Sequence, residues 1–234
     1  MKCVKIVPMV ALLSLMFVAG CVVQSLYPFY TDKTKIATPP DILGHWEPIK
    51  GEEEGGKPWL FSEGAITSYH KGVELTQLAV FFKVDDVLFV DVSAQEPLFN
   101  ALEESMWKNA HLLSVHQVYK VVTNRNEMTL YPLDLEWVEK QLESGAVKLS
   151  YHKPAASEFK KAFEEARDDK GEKVFGENMD DGPNPAPIVL TEKSEKLTEF
   201  LKYCIANPAA FDGEDMRYVF RKVPDQEKKL DTKN

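Results

Sequence analysis

Residues 75–84 alternate with the period of a strand: Thr76, Leu78, Val80, Phe82 and Val84 fall on one side, Gln77 and Lys83 on the other. Asp85-Asp86 parts this run from a second β-rich one, Val87 to Val92, which predicts a tight hairpin. Shorter strands are expected over 43–49, 58–61 and 65–70, with Ser62-Glu63-Gly64 as a turn. Further strands are expected over 113–122, 128–132, 147–151 and 216–223, and Ile188-Val189-Leu190 is a short apolar run. In the 113–122 strand, Leu113, Val115, Tyr119 and Val121 share one side.

Four segments carry a helical pattern. Leu98, Leu102 and Met106 stand at i, i+4 and i+8 within 96–110. Asp134 precedes a stripe of Leu135, Val138 and Leu142, as an N-cap does, and Gly145 follows. Phe159 and Phe163 share a face of the charged stretch 157–167, and an acidic Gly- and Pro-rich loop is expected over 168–187. Leu197, Phe200, Leu201, Cys204 and Ile205 share a face over 194–206, with Thr191 as cap and Asn207-Pro208 as the stop. These elements give an α+β fold: a mainly antiparallel β-sheet of seven to nine strands with three or four packed helices. Closure of the sheet into a barrel is left open.

The first residues follow another logic. Lys2 and Lys5 precede an apolar run from Ile6 to Val18. As a helix it covers ~20 Å, short of the ~30 Å hydrocarbon core, so it reads as a signal peptide. The Val18-Ala19-Gly20-Cys21 that follows resembles the lipobox of bacterial lipoproteins. That resemblance implies removal of signal peptide 1–20 by cleavage between Gly20 and Cys21, with diacylglycerol on the Cys21 sulfur and a fatty acyl chain such as palmitate on the new amino terminus. It implies a membrane partner reached through the lipid at Cys21. Val22 in place of Asp implies the outer membrane, with the body in the periplasm or at the cell surface. Residues 21–41 then read as a lipidated tether, 42–223 as a single globular domain and 224–234 as a disordered, solvated tail. The Tyr27, Phe29 and Tyr30 rings within the tether suit either the lipid interface or a site on the body.

Composition narrows the function. An apolar fraction of 44% fills a core and excludes whole-chain disorder. A net charge of −9 disfavours nucleic acid as a partner. Loss of residues 1–20 removes Lys2 and Lys5 and no acid, leaving 26 basic and 37 acidic residues and a net charge of −11. Of Cys3, Cys21 and Cys204 only the last remains available, so no internal disulfide forms, and its apolar neighbours predict a buried thiol.

Catalytic patterns are not found. His45, His70, His111, His116 and His152 have no compact ligand spacing, and neither a nucleophile elbow nor a phosphate loop occurs. His116 reads as a half-exposed strand residue rather than a metal ligand. Asp168-Asp169 and Asp180-Asp181 lack the alternating ligands of a calcium loop, and Glu103-Glu104 reads as surface charge. No metal or cofactor is expected, and no enzyme. Gly44-His45-Trp46 resembles the Gly-x-Trp opening of lipocalin-like barrels, which implies Trp46 packed across a closed end. The helices expected at 96–110 and 135–142 depart from a simple eight-stranded barrel. Two functions follow: a non-enzymatic envelope module with a protein or wall partner, and a lipocalin-like carrier of a small apolar ligand. The abundance of large side chains in the strands favours the first.

Overall fold

The Asp85-Asp86 pair makes a two-residue hairpin turn. Both residues have positive φ, 47° and 64°, and Val84 faces Val87 across them. Two left-handed residues match the twist of the flanking strands, so the sequence folds back here as its pattern predicts. The computed structural model describes residues 23–50, 57–70, 73–94, 115–153, 188–213 and 217–224.

Eleven strands occur among the described residues: β1 (Val23–Ser25), β2 (Gly44–Lys50), β3 (Trp59–Ser62), β4 (Ala65–His70), β5 (Val73–Val84), β6 (Val87–Ala94), β7 (His116–Asn124), β8 (Glu127–Pro132), β9 (Tyr151–His152), β10 (Ile188–Leu190) and β11 (Tyr218–Lys222). Strands β2 to β8 follow one another around a meander, β11 fits between β8 and β2, and β6 pairs with β7. The result is a closed antiparallel barrel of eight strands, which leaves no free sheet edge within it. Strand β1 continues along β7 where β8 stops, at Gln24 opposite Gln117 and Ser25 opposite His116. β10 then runs parallel to β1, and β9 pairs with β10.

Two α-helices stand among the described residues, α1 (Leu135–Glu143) and α2 (Ser194–Ala206), against the three or four expected. The expected helices 96–110 and 157–167, the loop 168–187, the signal segment with Cys21, and the tail from 225 lie outside the described residues. In α1 the Asp134 carboxylate accepts the Trp137 N–H at 2.7 Å, as its place before the apolar stripe predicts. In α2 the cap position falls on Lys193, not Thr191, and no side chain bonds there. The strand expected over 147–151 shrinks to β9.

Two hydrophobic cores lie on opposite sides of the barrel wall. Inside are Trp46, Phe61, Ile66, Ala79, Phe81, Val90, Tyr119, Met128 and Phe220, with others. Outside, Phe82, Val84, Phe89 and Val118 are covered by α1, α2 and Phe211. The two sides read for β5 are the two faces of the barrel wall. Leu75, Gln77, Ala79 and Phe81 point inward, while Leu78 is 39% exposed on the outside. Phe82 and Val84 are buried only because the helices lie over them.

The stretch read as a tether is part of the body from Val23 onward. Val23, Phe29 and Ile42 are 1%, 0% and 0% exposed. The Ile36 N–H donates to the Phe81 carbonyl at 2.9 Å, and the Lys83 N–H to the Thr34 carbonyl at 3.0 Å. Of the three aromatic residues, Phe29 is buried, Tyr30 lies 5.9 Å from the Phe82 ring and Tyr27 remains exposed.

Candidate functional site

The two ends of the barrel differ in what plugs them. The turns at Gly64, Asp85-Asp86 and Arg125-Asn126 mark one end, here the lower. The chain crosses it from β5, beside Lys35, to Asp41, whose carbonyl accepts the Lys222 ammonium at 2.6 Å. Ile42 fills the space beneath, and the Trp46 indole N–H donates to its carbonyl at 2.6 Å. The Lys222 ammonium also stands 5.2 Å from the centre of the Trp46 ring, a cation–π position. The lower end is thus shut by one aromatic residue, held by its own N–H and by a cation on its face.

From Trp46 a run of rings climbs the interior. Trp46 meets Phe61 at 6.5 Å, Phe61 meets Phe220 at 5.8 Å, and Phe220 meets Trp59 at 5.0 Å. Trp59 meets Tyr218 at 5.8 Å, and Tyr218 meets Tyr119 at 6.2 Å. Such tilted and edge contacts suit aromatic quadrupoles. They leave the lower interior filled by side chains.

Polar groups gather at the upper end. Ser68, Gln77 and Gln117 are buried, and the Tyr119 hydroxyl donates to the Gln117 side-chain carbonyl at 2.9 Å. On β3, opposite Trp46 in register, the indole nitrogen of Trp59 is buried with no hydrogen-bond partner among the described residues. The same holds for Nε of Arg217, at the entry to β11. Almost every buried donor in a protein is paired, so the Trp59 indole marks a place in the interior that the chain itself leaves unsatisfied.

A second constellation lies on the outer wall. Asp91 is 2% exposed. Its carboxylate accepts the Phe29 N–H at 2.8 Å and the His116 Nδ1–H at 2.7 Å. The Thr198 hydroxyl proton is shared between the Ser194 carbonyl at 2.8 Å and the Phe29 carbonyl at 3.1 Å, so the peptide groups on both sides of Phe29 are held. Burial, then the Asp91 charge, then that of Asp32, pushes the Tyr30 phenol above its ordinary value. Ser25 lies beside His116 in register, but its hydroxyl donates to the Leu190 carbonyl at 3.3 Å and accepts the Tyr27 N–H at 3.2 Å. The arrangement fastens residues 25–30 to the wall rather than activating a nucleophile.

The other residues weighed from the sequence do not converge. His45 and His152 are exposed on β2 and β9, His70 lies on β4, and His111 is outside the described residues. Among the described residues no three of His, Cys, Asp and Glu are grouped to hold a metal. Cys204 is fully buried in α2, and burial pushes its thiol well above the ordinary range. The His116 side chain is 15% exposed and its Nδ1–H is taken up by Asp91. Asp91 was missed, although a lone acid inside Val87 to Val92 was the available signal. Trp59 and Gln77 gave no signal, because a strand pattern does not say which residues line an interior.

No family model, curated protein or solved structure matches the chain.

Proposed function

We propose that the protein is a lipid-anchored component of the bacterial envelope whose barrel takes up a small ligand through its upper end. The observation that carries this reading is the contrast between the ends. The lower end is shut by Trp46, Ile42 and Lys222, while the upper interior holds the buried polar side chains Ser68, Gln77 and Gln117. Eight strands enclose an interior that side chains fill or that holds one small ligand. Here the lower part is of the first kind and the upper part is suited to the second. The role is binding rather than catalysis.

The anchor rests on the Val18-Ala19-Gly20-Cys21 pattern. Acyl chains supply ~0.8 kcal/mol per buried methylene, enough for stable attachment of an acidic body. A Cys21→Ser variant is expected to move from the detergent phase to the aqueous phase in detergent partitioning. The membrane-extracted wild type is expected to show the mass of residues 21–234 plus acyl chains. An unchanged partition would overturn the anchor. For the barrel, the native protein in lipid nanodiscs is expected to bind an apolar fluorescent dye saturably, above the level of empty nanodiscs.

The ring run from Trp46 to Tyr119 favours a second reading, in which a rigid, filled body docks on an envelope protein. Absence of saturable dye binding would promote it.

A further inference from the structure

We infer that the small layer formed by β1, β10 and β9 is the face of the body that lies on the lipid headgroups, with Tyr27 and Tyr151 set among them. The inference rests on the lipid-anchor reading above and names the surface that the anchor brings to the membrane.

The position of the anchor makes the first argument. Val23 opens β1 opposite Ile188 of β10, and Cys21 stands at most ~7 Å before it. Ser25, two residues on, is in register with Leu190, and Leu190 with Tyr151. Two strand spacings across and two residues along put the Tyr151 Cα ~12 Å from that of Val23. Tyr27 follows in a turn in which its N–H donates to the Ser25 hydroxyl at 3.2 Å. It is four residues from Val23, which is at most ~14 Å. A bilayer that takes the lipid of Cys21 is therefore within reach of both rings.

Exposure makes the second. Four large apolar or aromatic side chains stand out among the described residues: Tyr27 at 44%, Tyr151 at 42%, Val122 at 47% and Leu78 at 39%. The two aliphatic ones lie on the barrel strands β7 and β5, and the two tyrosines on the layer beside the anchor. A tyrosine, with an apolar ring and a polar tip, is the type that suits a headgroup boundary.

Charge and the sheet edge choose the partner. The chain from Cys21 onward carries −11, yet residues 144–153, which lead into β9, hold Lys148, His152 and Lys153 and no acid. Glu139 of α1 engages Lys153, while Lys148 is exposed. Such a strip presents cations rather than the acidic body to anionic headgroups. Among the described strands β9 pairs with β10 alone, but it is two residues long. So short an edge offers a protein strand few backbone groups.

Tyr27→Cys, Tyr151→Cys, Leu78→Cys and Glu63→Cys, the last at the lower turn, are labelled with bimane in the full lipidated protein. Labelling is specific, because Cys3 leaves with the signal peptide, Cys21 is acylated and Cys204 is 0% exposed. The vesicles are phosphatidylethanolamine and phosphatidylglycerol with a nitroxide on part of the headgroups. The labels at positions 27 and 151 are expected to lose most of their emission, and those at 78 and 63 to keep it. Equal loss at all four positions, on protein that floats with the vesicles, would overturn the face and leave the anchor standing. Emission kept at 27 and 151 on floated protein would do the same and pass the β9 edge to a protein strand. Failure to float would overturn the anchor and the face together.

Discussion

Replacing Asp91 with alanine strands two donors at once, the Phe29 N–H and the His116 Nδ1–H. Removing one partner of a buried, charge-assisted set costs more than the set contributes, because the groups left behind stay desolvated. Asp91→Ala is therefore expected to lose about 3 kcal/mol of stability, read from urea unfolding, with Asp91→Asn losing less. Tyr30 gives the pH dependence. Its phenol is raised by burial and by Asp91, so the folded state holds that proton more tightly than the unfolded chain. The stability it contributes is fully present below the ordinary value of 10.0 and is lost as pH rises through the higher folded value. Tyr30→Phe is expected to remove that alkaline loss, so the urea midpoint falls less steeply above pH 10. Neither residue was legible beforehand. The partners of Asp91 come from a different strand and from the segment before the barrel, 25 and 62 residues away in sequence.

Hairpins and helices were easier to foresee, because they depend on neighbours in sequence. The β5–β6 turn, the α1 cap and the apolar face of α2 all follow from patterns within about ten residues. The turn also shows a local compromise. Asp85 and Asp86 both adopt positive φ, which Asp tolerates and Gly adopts freely. Asp86→Gly gives the Asp-Gly pair favoured in such turns, and is expected to raise stability by about 0.5 kcal/mol, visible as a higher urea midpoint. What period-two alternation did not reveal is the sign of a face. On β5 the outward residues Phe82 and Val84 are as apolar as the inward Ala79 and Phe81, because a helical layer covers the wall there. A strand buried on both sides carries no contrast for the pattern to expose.

At the scale of the molecule, barrel closure was the open question, and it turned on contacts far apart in the chain. β11 enters between β8 and β2 after more than eighty residues of inserted chain, and β7 must return to β6 across residues 95–114. The antiparallel character was readable from the hairpins, while the closing pairs were not. The start of the body has the widest consequence. Val23 lies in β1, with neighbours on both edges, and is 1% exposed. With lipid on the Cys21 sulfur, Val22 is the whole leash, and the distance from Cys21 to Val23 is at most ~7 Å. The barrel then rides on the bilayer like a hull rather than swinging from a line, and its acidic surface is kept close to the headgroups. Ten Gly-Ser residues inserted after Val22 would add a coil of ~17 Å. Spin-labelled headgroups are expected to quench the tryptophans of the native protein strongly and those of the lengthened one weakly. Equal quenching would mean that the berth is set by something other than the shortness of this link.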